Sequence, residues 1–487
     1  MPRRNLRLAP ASVADLAPAL ERLRTELDVP QEFSPAAQQE ARAAVQAMAW
    51  PTRDATDIEF VTIDPPEAMD LDQALALSRD GDGYLIHYAI ADPAAFVTPG
   101  GALDQEIHRR GMTYYGPDRR EGLHPPVLAE AAASLLPGQM RPACLWQIKL
   151  DASGEIVDAV VERARVRSRA KLSYQQVQRH LDEGTSGMLG LLAVIGELRR
   201  RCERDRGGVS LAIPEQEVVR DGGQYRLEYR STLAVEDWNA QISLTTGIAA
   251  AALMRRARIG VFRTLPTADQ RDVQRLRRAA HGLGLQWGPD EDYAAVLRRL
   301  DAAVPAHAAF LEEATTLFRG ADYLTFDGDL PPASPHGAIA AEYAHVTAPL
   351  RRLVDRYGLE ICLSASAGTA VPSWVRSGLA QLPDLMTAAG RATNSYQREC
   401  VNLMEAAILA PRVGEAFPGV VVEASSGDST MRGTVVIADP AVRAKVTGVD
   451  LPVGERDLVQ LAQADVERRL VTFSHPASSG RVAEGKR

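Results

Sequence analysis

TIDPPEAMDLDQAL, residues 62–75, brings three aspartates, Asp64, Asp70 and Asp72, within nine residues of one another between two apolar runs. Pro65 and Pro66 lack the amide protons of a strand ladder, so the chain has to loop out here and return. Asp70 and Asp72 stand two apart, which in extended backbone puts both carboxylates on one side. Such a loop can converge hard oxygen donors suited to Mg2+ or Mn2+ rather than to a softer metal. The glycine and distal glutamate of a calcium EF-hand loop are missing. An exposed acidic turn has the same composition, and spacing alone leaves both readings open.

Outward from this loop the pattern is strand-rich. IEFVTID (58–64), YLIHYAIAD (84–92) after a Gly81–Gly83 turn, CLWQIKL (144–150) and EIVDAVVERARVRSRAKL (155–172) read as strands. From Tyr174 to about Leu409 the spacing is mainly helical, with residues 331–339 as the chief irregular break and long runs over 375–388 and 391–409. From Pro411 to Phe473 short strands return: GVVVEAS, TMRGTVVI, VRAKVTGV and DLVQLAQADVERRLVTF. Their rhythm fits a small OB-type barrel, a fold that often binds single strands. Before the loop, residues 11–28 and 34–49 carry helical spacing, with Ser12 and Ser34 as N-caps and a turn near Pro30. This hairpin has the size of a helix-turn-helix unit or of a packing appendage. The expected class is α+β: a helical segment (1–56), a large domain of strands followed by helices (57–409), an OB-type barrel (410–475) and a disordered tail (476–487).

Composition narrows the function classes. The 487 residues include 55 Lys plus Arg and 63 Asp plus Glu, a net charge of −8, with 46% hydrophobic residues. That is ordinary for a globular chain and excludes extensive disorder. No apolar run reaches the ~18 residues of a membrane span, so no membrane partner is expected. Only four of the basic residues are lysines; arginine forms bidentate contacts with phosphate that lysine cannot, although an Arg-favouring genome gives the same bias. Cys144, Cys202, Cys362 and Cys400 are far apart, which indicates reduced thiols rather than a zinc cluster or disulfides. The N-terminus is Arg-rich but has no secretory apolar core, so a cytoplasmic protein is expected.

The segment 62–75 resembles the signature of the ribonuclease II/R (RNB) family, roughly T-I-D-x5-D-x-D-D-A. The likeness continues through YAIADPAAFV, RRGMTYYGPD, AAASLLPGQ, RSRAKLSYQQV and YAHVTAPLRRLVD, and covers about 350 residues in the family's order. The resemblance implies a 3′-to-5′ hydrolytic exoribonuclease that degrades single-stranded RNA to nucleoside 5′-monophosphates with a divalent metal, Mg2+ or Mn2+. It implies that Asp64, Asp70 and Asp72 hold the metal, with Asp72 the most critical for cleavage. The family's fourth aspartate is Gln73 here, whose amide oxygen can still ligate but brings no charge. Arg351 matches the arginine beside the scissile phosphate, a fixed cation for charge that develops on the phosphoryl oxygens. Pro349 is placed to open a helix, with its free amides turned to an anion. Tyr115 matches the aromatic that stacks on the 3′-terminal base, next to Tyr114.

Other candidates are less specific. ERARVRSRAK (162–171) puts Arg163, Arg165, Arg167, Arg169 and Lys171 on one strand face, facing either an RNA backbone or acidic residues of a neighbouring domain. Arg167 and Arg169 are carried as RNA contacts. His345 is a structural histidine or a contact beside the RNA, and Arg352 a carboxylate or backbone contact. In NSYQREC (394–400), Gln397 and Arg398 stand near the ribose in the family, with Gln397 where a glutamate is usual. The family's bacterial members typically begin with two cold-shock barrels. The 56 residues here cannot hold them, so a more open channel entrance is expected. A monomer is expected, acting on an RNA 3′ end and not on DNA. The alternative is an RNA-binding regulator on the same scaffold, silenced by Gln73.

Overall fold

The structure, a computed structural model, describes residues 16–184, 187–209, 215–221, 224–230, 232–301, 304–425, 430–437 and 439–476. Ser12, the start of the first expected helix and the expected tail from residue 477 lie outside the described residues. Two helices come first, α1 (Ala17–Glu26) and α2 (Pro35–Ala47). Ser34 caps α2 as expected, its side chain accepting from Ala37 N at 3.3 Å. α1 has no side-chain cap and owes its place to packing: Leu20 and Leu23 are fully buried in a cluster with Tyr114, Tyr396, Cys400 and Leu403.

The central sheet contains β1 (Arg53–Asp54), β2 (Phe60–Ile63), β3 (Gln73–Asp80) and β4 (Gly83–Ala91). After α3 (Ala102–Arg110) come a short hairpin, β5 (Tyr114–Tyr115) and β6 (Arg120–Glu121), and then β7 (Met140–Leu150) and β8 (Ile156–Leu172). β8 pairs antiparallel with β7 along its first part and parallel with β1 and β2 along its second. With β2–β3, β3–β4 and β4–β7 paired in turn, the ladder runs round a ring. Phe60, Tyr88 and Trp146 fill its core. In β3 four successive residues, Ala74 to Leu77, are buried, because one face looks into the ring and the helix Met188–Asp205 packs on the other.

The middle of the chain is less uniformly helical than its sequence suggests. It contains α4 (Tyr174–Asp182), α5 (Met188–Asp205), the pair β9 (Glu215–Asp221) and β10 (Gln224–Arg230), and α6 (Ala234–Ala257). Then follow β11 (Ile259–Thr264), α7 (Gln270–Gly282), α8 (Tyr293–Arg298), α9 (Pro305–Ala314) and β12 (Asp322–Asp327), with β11 and β12 antiparallel across the three helices between them. α10 (Leu353–Ala367) is buried on all sides over Leu353–Ser364, the signature of a central helix. The two expected runs resolve as α11 (Ser373–Leu379) and α12 (Leu382–Leu409). The break lies before Pro383, which suits a helix's first turn, and not at Gly390.

β13 (Ala416–Ser425), β14 (Met431–Ile437), β15 (Val442–Gly448), β16 (Arg456–Asp465) and β17 (Leu470–Ser474) close into a five-stranded barrel in the order β13-β14-β15-β17-β16. The last sequence run is therefore two strands, separated by a turn at 466–469 in which Arg469 has φ 53°. The α+β class, the N-terminal helices and the C-terminal barrel are as expected.

Candidate active site

Asp64 sits where the chain leaves β2, with its amide donating to Leu172 O at the end of β8 (3.0 Å). Lys171 Nζ reaches across the proline loop to Pro66 O and Ala68 O, each at 2.6 Å. Buried Ser134 holds the return: its hydroxyl donates to Met69 O (2.6 Å) and accepts from Leu71 N (3.0 Å), and Leu135 N donates to Leu71 O (3.0 Å). The AAASLLPGQ segment thus acts as a clamp on the aspartate loop.

Asp72 is 3% exposed, and both of its oxygens are used. Leu350 N donates to Oδ1 at 2.8 Å and Arg351 Nε to Oδ2 at 2.6 Å. Burial pushes the Asp72 carboxyl up to about 7 against the pull of Arg351, with the charge of Asp70 adding to the rise. Burial and Asp70 likewise push Asp64 up to about 6, opposed by Arg351 and Lys171. Asp70 itself is paired with Arg120, which also reaches Glu130 at 2.9 Å.

Arg351 is presented by a turn, not by a helix start. Pro349 lies in the turn closed by Arg351 N and Arg352 N on Ala348 O (3.1 and 3.0 Å), and α10 begins only at Leu353. The amide freed by this turn, Leu350 N, serves the Asp72 carboxylate. Arg352 bonds Asp355 at 2.7 and 2.8 Å. The turn is pinned to residues 111–113 by Thr113 N to Arg351 O (3.0 Å) and Leu353 N to Gly111 O (2.9 Å). Gly111 has φ 64°, and a Cβ there would stand 2.6 Å from Ala389 Cβ, so only glycine fits. The same segment runs on into β5, where Tyr114 faces the core and Tyr115 is half-buried opposite Arg120. The Tyr115 phenol interacts electrostatically with Arg120 and Arg351.

Gln73 is engaged at both ends: Tyr88 Oη donates to Oε1 (2.6 Å), and Nε2 donates to Thr347 O (2.6 Å). Only the second lone pair of Oε1 is left for an ion. Among the described residues no three acidic, His or Cys side chains converge on one point, with guanidinium groups standing on Asp70 and Asp72. The donor chemistry nonetheless fits a hard divalent cation. Asp64, Asp70 and Asp72 are oxygen donors, the charge of Asp70 raises the proton affinity of the other two, and Asp70 and Asp72 already attract cationic side chains.

Arg352 and His345 open onto a cleft of about 1250 Å³ between β11, the 336–352 segment, α12 and the barrel. Seven cationic side chains line it: Arg263, Arg352, Arg391, Arg398, Arg443, Lys445 and Arg469, against Asp322 and Glu405. Gln397 lies in the same wall, and His345 Nδ1 is 2.9 Å from Tyr323 Oη. The sequence reading missed Arg263, Arg391, Arg443, Lys445 and Arg469. Arg443 and Lys445 alternate with buried residues on β15, and Arg391 and Arg398 are seven apart on α12, so both pairs were legible as single faces. Asp64, Asp70, Asp72, Arg351 and Tyr115 are not among the residues lining the cleft, and neither are Arg167 and Arg169 of β8. Their strand faces carboxylates and carbonyls instead: Arg163 pairs with Asp92 (2.7 Å) and Glu360, Arg165 with Asp54 (3.0 Å), and Arg169 donates to Thr56 O (2.9 Å). Arg167 Nε is buried without a hydrogen-bond partner among the described residues. The four cysteines are buried thiols.

Residues 52–361 match the sequence model of the RNB domain, and residues 415–475 that of the RNase II-type exonuclease C-terminal S1 domain. The chain belongs to the RNB family. A curated RNB relative, ribonuclease R of Aquifex aeolicus, is 24% identical over 392 residues, 76% of this chain and 54% of that protein. The chain thus spans about half the length of that relative. The RNB fold is shared with Mycoplasma genitalium RNase R in complex with ribose methylated single-stranded RNA: TM-score 0.83, 18% identity, 95% of this chain and 78% of that one. It is shared too with yeast Ssd1, a pseudonuclease: TM-score 0.68, 14% identity, 89% of this chain and 54% of that one. At these identities the likeness establishes the fold alone. Among the described residues no helix is long and apolar enough to cross a membrane.

Proposed function

We propose that the protein is a 3′-to-5′ hydrolytic exoribonuclease that shortens single-stranded RNA to nucleoside 5′-monophosphates in cytoplasmic RNA turnover. The observation that carries this reading is the meeting of Asp72 with Arg351, whose neighbour in sequence, Arg352, lines a cleft rich in cationic side chains. On this reading an RNA strand lies in the cleft, its phosphates matched by Arg398, Arg443 and Lys445, while Arg469 is held by Glu26 and Glu399. Tyr115 stacks on the terminal base, a contact that tolerates every base. Asp64, Asp70 and Asp72 would hold Mg2+, or Mn2+ in its place. The chemistry such an ion supplies when bound is a water of lowered pKa and neutralisation of phosphoryl charge. Arg351 is then released from Asp72 to face the phosphate, and the Leu350 amide keeps Asp72 in place.

Gln73 favours a second reading, an RNA-binding regulator with a silent site, since a neutral amide stands where the family's fourth aspartate does. Incubating the purified chain with 5′-labelled RNA or DNA, with Mg2+ or with EDTA, separates the two. A metal-dependent ladder on RNA alone, with mononucleotide product, is expected. RNA that is bound and left intact would establish the regulator.

A further inference from the structure

Two residues, Gln73 and Arg120, flank the aspartates. After Asp72 comes the neutral Gln73, which accepts from Tyr88 and donates to Thr347 O, while Thr347 Oγ1 is 2.8 Å from Ser243 Oγ. A carboxylate has no proton to give Thr347 O, so it could not replace this second bond. The amide therefore ties β3 to the turn that brings Leu350 N and Arg351 onto Asp72. On the other flank Arg120 bridges Asp70 and Glu130; its side chain is 24% exposed and that of Asp70 10%. Arg120 follows the β5–β6 turn, where Arg119 Nε bonds Glu121 at 2.6 Å and buried Arg24 bonds Asp118, so the hairpin that carries it is held from outside the site.

Four carboxylates, Asp64, Asp70, Asp72 and Glu130, facing three cations, Arg120, Arg351 and Lys171, leave a single formal negative charge. One divalent ion reverses that charge, and a second would enter a partly buried site already positive, where Coulomb repulsion is weakly screened. We infer that this site takes one divalent ion, with Arg120 on Asp70 as its fixed countercharge and Gln73 as a positioning residue that does not ligate. The inference rests on the nuclease reading only in assuming that the same aspartates bind the ion.

Titrating Mn2+ into the full chain, with free Mn2+ read by electron paramagnetic resonance, tests it. The wild-type protein is expected to take one ion tightly. Gln73→Asp is expected still to take one, because Arg120 stays on Asp70, and the pair Gln73→Asp with Arg120→Gln to take two. Retention of the first ion shows that a variant has folded. Two ions in the wild-type chain, none, or one in the double variant would overturn the inference. One ion bound with RNA left intact would instead overturn the nuclease reading and leave this inference standing.

Discussion

Arg351 Nε stands 2.6 Å from Asp72 Oδ2, a contact between residues 279 positions apart, and it joins the aspartate loop to the turn before α10. The Arg351 side chain is about one-third exposed, so the guanidinium has room to turn to a phosphate. Arg351→Lys keeps the charge but loses the planar fork. It is expected to lower kcat about 100-fold or more, in the range of a missing oxyanion donor, with RNA affinity changed far less. Single-turnover rates set against equilibrium binding separate the two.

The carboxyls of Asp72 and Asp64, raised to about 7 and about 6, give a signed prediction. Between their ordinary values near 4 and these raised ones, the folded state holds protons that the unfolded chain has released. Stability from this source is complete below pH ~4 and is lost as pH rises to ~7. The metal-free protein is therefore expected to show a Tm that falls across this interval in EDTA. Asp72→Asn removes the larger share of the slope, and added Mg2+ restores stability at pH 7. A Tm that rises from pH 5 to pH 7 in all three samples would refute it.

On the barrel, Arg443 and Lys445 face the cleft from β15. Replacing both with alanine is expected to weaken binding of single-stranded RNA and to reduce the slope of log K against log salt by about 0.7 for each phosphate that is no longer neutralised. Fluorescence anisotropy at several salt concentrations reads both quantities. Cleavage of RNA at saturation should change little.

Arg24, 1% exposed on α1, pairs with Asp118 and lies 3.8 Å from Glu121, at the tip and return of the hairpin that carries Tyr115. Arg24→Met leaves these acids without their buried partner, which typically costs about 3–5 kcal/mol. A clear fall in Tm is expected, with a rise in KM for short RNA as the Tyr115 strand loosens.

Much of this was legible from residue types and periods. The proline-broken aspartate loop, the Ser34 cap, the long β8 strand and the barrel rhythm all lie in local sequence. What was not legible depends on distant partners. β11 and β12 pair across three helices, so neither shows a hairpin turn. The basic stripe of β8 fits either RNA or acidic neighbours in sequence, because its acids, Asp54, Asp92 and Glu360, come from other elements. Pro349 reads as a helix start in sequence, but Leu350 N bonds the distant Asp72 carboxylate and α10 begins only at Leu353. The cleft cations are spread over β11, α12, β15 and the turn before β17, so no single window gathers them.

The central claim is that three aspartates and Arg351 make a working site even with Gln73 beside them. Single-turnover incubation of excess protein with 3′-end-labelled RNA in Mg2+, for the wild-type chain and for Asp72→Asn, tests it most directly. The account requires labelled nucleoside 5′-monophosphate from the wild-type chain and bound, intact RNA with Asp72→Asn. Intact RNA with both proteins, or equal release from both, would contradict it.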